Sequence, residues 1–396
     1  LRRALATAPL ALVCVLAPWG CGGRTSPHVA GAAATSRSAG LTTGITEFDP
    51  ALIAPRPGAG ALQVQWQRRF ADLHAHYLRI VVLWKPVQPT QASPVDLAAP
   101  GSGGASALDQ LRAARDAGLE PVVTFMATPG WAARGPGGCT PANANPDARA
   151  PTAAAVPAYE HLVRTVLGAA QRERIPIRHV SPWNEPNSGL FLAPQRDACD
   201  PSRPSLSPGE YAPLARAALR AVKAQPGGGD LLLGETSSPF ARRGNISLPD
   251  EFVVGLPDDV VCSAAVYTHH VYVGDPERLG AIRAALRAHR CPGGAPHFWI
   301  TEAGAGRDGP NTTRSADPGV QRRSCRGLQE QLTRWWRDPT VDVAIQYTFR
   351  EDPNFPVGLV NGPLTLAYPA YGVWRAWGAR PSAAAPPPAL PPQCLG

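Results

Sequence analysis

Apolar residues recur along the chain in two alternating rhythms. Short continuous runs suit buried strands, and longer stretches with apolar positions three and four apart suit helices packed by one face. Eight strand-like runs stand out: Gly44 to Phe48, Leu78 to Trp84, Pro121 to Met126, Ile177 to Ser181, Leu231 to Glu235, Ala264 to Tyr272, His297 to Glu302 and Val341 to Phe349. Between the first two, Trp66, Phe70, Leu73 and Tyr77 trace a helical face, and Leu108 with Leu111 opens a second helix that Gly118 ends. Helical spacing returns at Tyr159, Leu162, Val166 and Ala170, at Tyr211, Leu214, Ala218 and Val222, and at Leu279, Ile282 and Leu286. A helix from Val320 to Trp336 precedes the last strand, and one from Tyr371 to Trp377 closes the series.

Strands that alternate with helices build a parallel sheet covered by helices, and eight of them over roughly 340 residues favour closure. The pattern predicts an α/β chain with a single (β/α)8 TIM barrel over residues 41–379. No Gly-x-Gly-x-x-Gly turn follows the first strand, which argues against an open dinucleotide-binding sheet. Outside the barrel, residues 22–40 are small and glycine-rich, and 380–396 are dominated by Pro and Ala. Neither composition buries much apolar surface, so both read as linkers or tails. Chemistry in such a barrel sits where strands end and the following loops begin.

Charge and cysteines narrow the setting. The 396 residues carry a formal charge of +8, but Lys occurs only at 85 and 223 and the arginines are scattered, so no nucleic-acid footprint emerges. Arg2-Arg3, the apolar run Ala4 to Ala17 and Cys21-Gly22-Gly23 have the layout of a signal peptide over 1–21, with an apolar run too short to span a membrane. Gly20-Cys21 also fits a lipoprotein processing site, which would place a lipid anchor at Cys21. The expected location is therefore secreted or attached to the cell surface. Beyond the leader lie Cys139, Cys199, Cys262, Cys291, Cys325 and Cys394, an even set for an oxidising compartment. With the elements placed as above, Cys139 with Cys199 would join two loops over one barrel face. Cys262 with Cys291 would bracket one strand-helix unit, and Cys325 with Cys394 would tie down the tail. Sequence alone leaves other pairings open.

The fourth run leads into Trp183-Asn184-Glu185-Pro186-Asn187, and Thr301-Glu302 ends the seventh. In a barrel both carboxylates face one mouth. Two carboxylates across a sugar are the minimal apparatus for glycoside hydrolysis, one protonating the departing oxygen and the other attacking or activating water. Trp131 and Trp183 offer flat faces on which a pyranose ring can stack, although Trp131 equally suits packing beneath the long loop after the third strand. Glu47, Glu235 and Glu351 also lie near strand ends, but they lack the motif context and rank below Glu302. His74 and His76 read as core or helix-end residues, and Asn245-Ile246-Ser247 and Asn311-Thr312-Thr313 fit glycosylation sequons.

With these residues the chain resembles the clan A glycoside hydrolases, a barrel superfamily that includes families 5 and 39, over nearly the whole span from Gly44 to Trp377. The resemblance rests on Trp183-Asn184-Glu185-Pro186 and on Thr301-Glu302. It implies Glu185 as acid/base and Glu302 as nucleophile, with retention of configuration and carboxyl groups about 5–5.5 Å apart. It further implies that Asn184 binds the substrate 2-hydroxyl, the residue's other reading being a turn cap. His270-Val271-Tyr272 is similar to the His-x-Tyr after strand six of such enzymes, and Tyr272 would donate to Glu302. Adjacent His269 leaves the register open, with a core histidine or a metal ligand as the competing readings. Arg79 matches an arginine that pairs with the nucleophile, against the alternative of a solvent-facing residue at a strand start. One departure is that Tyr347, Phe349 and Arg350 occupy the end of strand eight, where the clan often carries a Trp. The implied partner is an oligosaccharide, polysaccharide or glycoside, and no metal or organic cofactor is implied. A carbohydrate-binding barrel without turnover and a transglycosylase using the same residues are the rival readings.

Overall fold

The computed structural model describes residues 40–55, 58–135, 137, 146–306 and 314–395. Eight parallel strands close into a barrel in sequence order, as the alternation predicts. They are β1 (Thr42–Thr46), β2 (Tyr77–Leu83), β3 (Glu120–Met126), β4 (His179–Ser181), β5 (Asp230–Thr236), β6 (Val266–Tyr272), β7 (His297–Gly304) and β8 (Val341–Tyr347). Because β1 pairs with both β2 and β8, the sheet has no free edge. The principal helices are α1 (Ala61–Ala71), α2 (Ala107–Asp116), α3 (Val156–Arg172), α4 (Ser207–Lys223), α5 (Pro249–Val254), α6 (Leu279–Ala288), α7 (Pro318–Arg337) and α8 (Pro369–Gly378), one after each strand.

Local chemistry sets the helix limits. Ser106 accepts the Asp109 N–H at the start of α2, and Asp317 accepts the Gly319 N–H at the start of α7. Gly118, at φ +71°, takes the left-handed turn that stops α2. The first helix is shorter than its apolar spacing suggests: α1 ends at Ala71, His74 turns to φ +45°, and Tyr77 opens β2 instead of extending the helix. At the other end of β2, Trp84 begins a short helical turn, Trp84–Val87, and is not part of the strand.

Strand alternation divides the core. Ile80 and Val82 on β2, Val123 and Phe125 on β3, and Leu231 and Leu233 on β5 join the large cluster under the helices. Their alternates Val122, Leu232, Val266, Trp299, Val343 and Ile345 form a separate cluster, joined by Tyr77, that fills the barrel. Arg79 and His270 lie on this inward face above the apolar layer.

The 380–395 segment is not the free linker its composition suggests. The Leu41 N–H donates to the Ala383 carbonyl at 3.0 Å, Arg380 donates to the Leu41 carbonyl, and Gln329 donates to the Pro388 carbonyl at 2.8 Å. Cys394 is fully buried and bonded to Cys325 on α7. Cys262 and Cys291 form a second disulfide. The third expected pair has one member, Cys139, outside the described residues, as do the leader with Cys21 and the Asn311 sequon. Among the described residues no helix is long and apolar enough to cross a membrane.

Candidate active site

The chain leaving β4 is held on both sides. The Tyr159 hydroxyl donates to the Pro182 carbonyl at 2.5 Å, the Asn184 N–H donates to Phe125 O at 2.9 Å on the β3 side, and the Glu185 N–H donates to Glu235 O at 3.0 Å on the β5 side. Glu185 sits at φ +38°, a left-handed conformation that costs a non-glycine residue about 1–3 kcal/mol and needs such surroundings to persist. Asn187 closes the turn: its side-chain amide donates to the carbonyls of Ser237 and Ser247, and its oxygen accepts the Ser237 N–H.

Irregularities in the neighbouring strands bring two more glutamates to the same place. On β5 the register slips between Gly234 and Thr236. Thr236 consequently faces Tyr267 and His269 on the helix side, while Glu235, at φ +54°, turns inward. On β7 an extra residue opposite the His269/His270 step sets Glu302 across from His270.

Three carboxylates and two cationic side chains then meet. Arg79 Nη1 lies 2.8 Å from Glu302 Oε1, and its Nη2 lies 2.7 Å from Asn184 Oδ1 and 2.5 Å from Glu235 Oε2. His270 Nε2 is 3.0 Å from Glu235 Oε2, and its Nδ1 is 2.8 Å from Glu185 Oε1 and 3.5 Å from Glu302 Oε2. The Tyr272 hydroxyl donates to Glu302 Oε2. Arg79, Glu235 and His270 are buried, whereas the side chains of Glu185 and Glu302 keep 16% and 10% of their surface open, so only these two are reachable from the mouth.

The protonation states follow from who faces whom. Burial would strip His270 of its proton, but the charge on Glu302, the hydrogen bonds to Glu185 and Glu235 and the charge on Glu235 raise it to about 10. Burial pushes the Glu185 carboxyl up, the Glu302 charge adds to the rise, and His270 and Arg79 offset only part of it. Glu235 is the reverse: burial would raise it, yet Arg79 and His270 hold it at about 2. Burial also lifts the Tyr272 hydroxyl well above its ordinary value, helped by Glu302 and Glu185, so it remains a donor.

One ligand atom each from Glu185, His270 and Glu302 lies within 4.8 Å of the others, close enough to touch one cation. A histidine held protonated by carboxylates offers no lone pair to a metal, and the cluster is better described as a network of charged hydrogen bonds.

The aromatic residues fall elsewhere than expected. Trp183 is fully buried, donates from Nε1 to Phe191 O at 2.9 Å and lies against Tyr159, so it supports the Glu185 turn and offers no face to a sugar. Trp131 donates to Gln88 O and meets Trp84 edge to face, which leaves it partly exposed under its loop. Around Glu302 the half-buried rings are Phe48, Tyr347 and Phe355, in edge contact with one another or with Tyr272. Tyr347 donates to Asp352, and the Tyr347-Thr348 peptide is cis. Of the other strand-end glutamates, Glu47 is raised by burial to about 7 and accepts the N–H groups of Asp49 and Arg350, pinning two loops. Glu351 is tied to Arg314. Glu235 was legible only as a minor candidate; Gly234 before it, a glycine inside a strand, is the one sequence signal of the bulge that turns it inward.

No family model and no curated protein sequence matches the chain. Solved structures do match, glycoside hydrolases among them. A family 39 glycoside hydrolase from Bacteroides cellulosilyticus WH2 superposes with a TM-score of 0.54 at 15% identity, over 87% of this chain and 64% of that one. A family 30 subfamily 8 xylanase from Clostridium acetobutylicum gives 0.52 at 13% identity, over 86% and 72%. Fungal β-1,4-galactanases give 0.50 at 12% identity, over 85% and 99%. The chain thus shares the barrel fold of these enzymes, and it spans less than two thirds of the family 39 enzyme.

Proposed function

We propose that this protein is an exported retaining glycoside hydrolase acting on β-linked sugars. The observation that carries the reading is the pair at the mouth: Glu185 and Glu302 present oxygens within 4.8 Å of each other, and burial biases Glu185 towards its neutral form. So close an approach suits double displacement, for which carboxyl groups stand about 5–5.5 Å apart, better than inversion, for which they stand roughly 6.5–9.5 Å apart.

In this mechanism Glu302, aligned by Arg79 and Tyr272, attacks the anomeric carbon while Glu185 gives its proton to the leaving oxygen. Glu185, now ionised, takes a proton from the incoming water, which displaces Glu302 and restores the sugar with its original configuration. His270 stays charged and steadies Glu185 in its ionised half of the cycle. Disulfides at Cys262–Cys291 and Cys325–Cys394 fit an oxidising compartment and so favour export. The β-linkage is drawn from the substrate named for the galactanases of the same fold.

Purified protein screened against aryl β-glycosides and β-glucans, mannans, xylans and galactans should show hydrolysis, with NMR of fresh product giving the retained anomer. Glu302→Ala and Glu185→Ala should each abolish turnover on the unactivated substrate. Undiminished turnover in either variant, or an inverted product, would overturn the reading.

A further inference from the structure

Glu235 is a third glutamate that substrate does not reach, since its side chain is fully buried. One of its oxygens, Oε2, receives both Arg79 Nη2 at 2.5 Å and His270 Nε2 at 3.0 Å. These are the two cations that touch Glu302 and Glu185. A glutamate used only to pin loops is arranged differently in this molecule: Glu47 spends both oxygens on backbone N–H groups. Glu235 also sits in a left-handed conformation at a bulge, an arrangement retained only where its surroundings enforce it.

We propose that Glu235 is a positioning residue, a buried counter-charge whose shared oxygen holds Arg79 and His270 against the acid and the nucleophile. The inference rests on the assignment of Glu185 and Glu302 made above. With Glu185 neutral, charged Glu235 and Glu302 balance Arg79 and protonated His270, so the resting site carries no net charge. Without Glu235 the same site would be positive, facing a reaction whose transition state is itself oxocarbenium-like. The groups that bear on this balance are Arg79 from β2, Glu185 after β4, and His270 and Tyr272 from β6 with Glu302 from β7. His269 lies behind on the outer face of β6, and Tyr211 of α4 accepts the Gly234 N–H.

Removing the charge acts in one direction through two groups. Glu185 would ionise more readily beside uncompensated cations, and His270 would release its proton sooner, so activity would fail at lower pH. Glu235→Gln should reduce kcat/KM at neutral pH about tenfold or more and move the alkaline limb of the pH–rate profile down by roughly one unit. Glu235→Asp, which keeps the charge, should return the limb towards its original position. Should the glutamine variant not fold, Glu235→Asn set against Glu235→Asp compares neutral and charged side chains of equal size. Histidine ring NMR supplies a readout independent of turnover: His270 should titrate at lower pH in the neutral variants than in the unaltered protein. A slower variant with an unmoved limb and an unmoved His270 titration would reduce Glu235 to a structural role and overturn the proposal, as would a neutral variant that behaves like the parent. If the parent hydrolyses no glycoside, the functional assignment falls, and the His270 titration still decides whether Glu235 holds the charge.

Discussion

His269 and His270 are consecutive on β6, both buried, and differ in charge: His269 is neutral and His270 carries a proton. His269 faces the helices, where Thr236 and Ser238 hydroxyls meet its two nitrogens at 2.9 and 2.7 Å, and burial holds it down to about 3. His270 faces the barrel interior, where the charges of Glu302 and Glu235 and hydrogen bonds to Glu185 and Glu235 reverse the same burial and hold it at about 10. The protein interior by itself discharges a histidine; what surrounds the ring decides whether it stays discharged. His179, near the opposite end of the barrel, sharpens the point. It has Glu120 at 3.2 Å and Asp230 nearby, yet burial comes first and its pKa is lowered, so these carboxylates, with Arg178 and His76 against them, are not enough.

The comparison breaks most visibly if the charged histidine is removed. His270→Ala should cost at least about 10²-fold in the kcat/KM of the proposed hydrolysis, because the site loses the cation between Glu185 and Glu302. It should also cost about 3–5 kcal/mol of folding free energy by leaving Glu235 short of a partner, read from urea unfolding. His269→Ala should be milder, about 1–3 kcal/mol for the lost hydrogen bonds to Thr236 and Ser238, of which Thr236 keeps Tyr267, and should leave the alkaline limb of the rate profile where it is.

Opposite pKa shifts predict opposite pH dependence of stability. With an unfolded value near 6.5, the contribution of His270 is complete below about pH 6.5 and fades as pH climbs through 10. That of His269 is complete above about pH 6.5 and fades as pH falls towards 3. Denaturation midpoints from pH 4 to 10 should therefore lose part of their alkaline slope in His270→Ala and part of their acid slope in His269→Ala. The reverse assignment of slopes would show that the two rings had been given the wrong charges. The smallest expected effect concerns Trp183: Trp183→Phe should cost about 1 kcal/mol for the lost bond to Phe191 and leave KM within about twofold, since the ring meets no sugar.

Much of this architecture is visible in the chain before folding is considered. Eight apolar runs announce eight strands because each buried barrel strand must be apolar on its outward face and nearly so within. Glu185 and Glu302 are legible because they stand where such strands end. What escapes is anything that depends on a break in alternation. Glu235 would point at the helices if β5 ran regularly, and only the slip at Gly234 turns it inward. Leu73 and Tyr77 fit a helix by spacing, but the left-handed turn at His74 comes between them. Trp183 has the composition of a sugar platform and the geometry of a buttress, a distinction set by the direction of the chain after β4. The tail's disulfide is legible in Cys394, but its hydrogen bonds from Arg380 and Gln329 are not, because composition measures apolar burial alone.

That tail lies across the place where the cylinder is joined. At one end it is fastened to residue 41, just ahead of β1, and at the other to α7, just ahead of β8. It therefore acts as a hasp on the first and last staves, and its expected consequence is for lifetime: cutting the latch, as in Cys394→Ser, should shorten the half-life under heat or proteases.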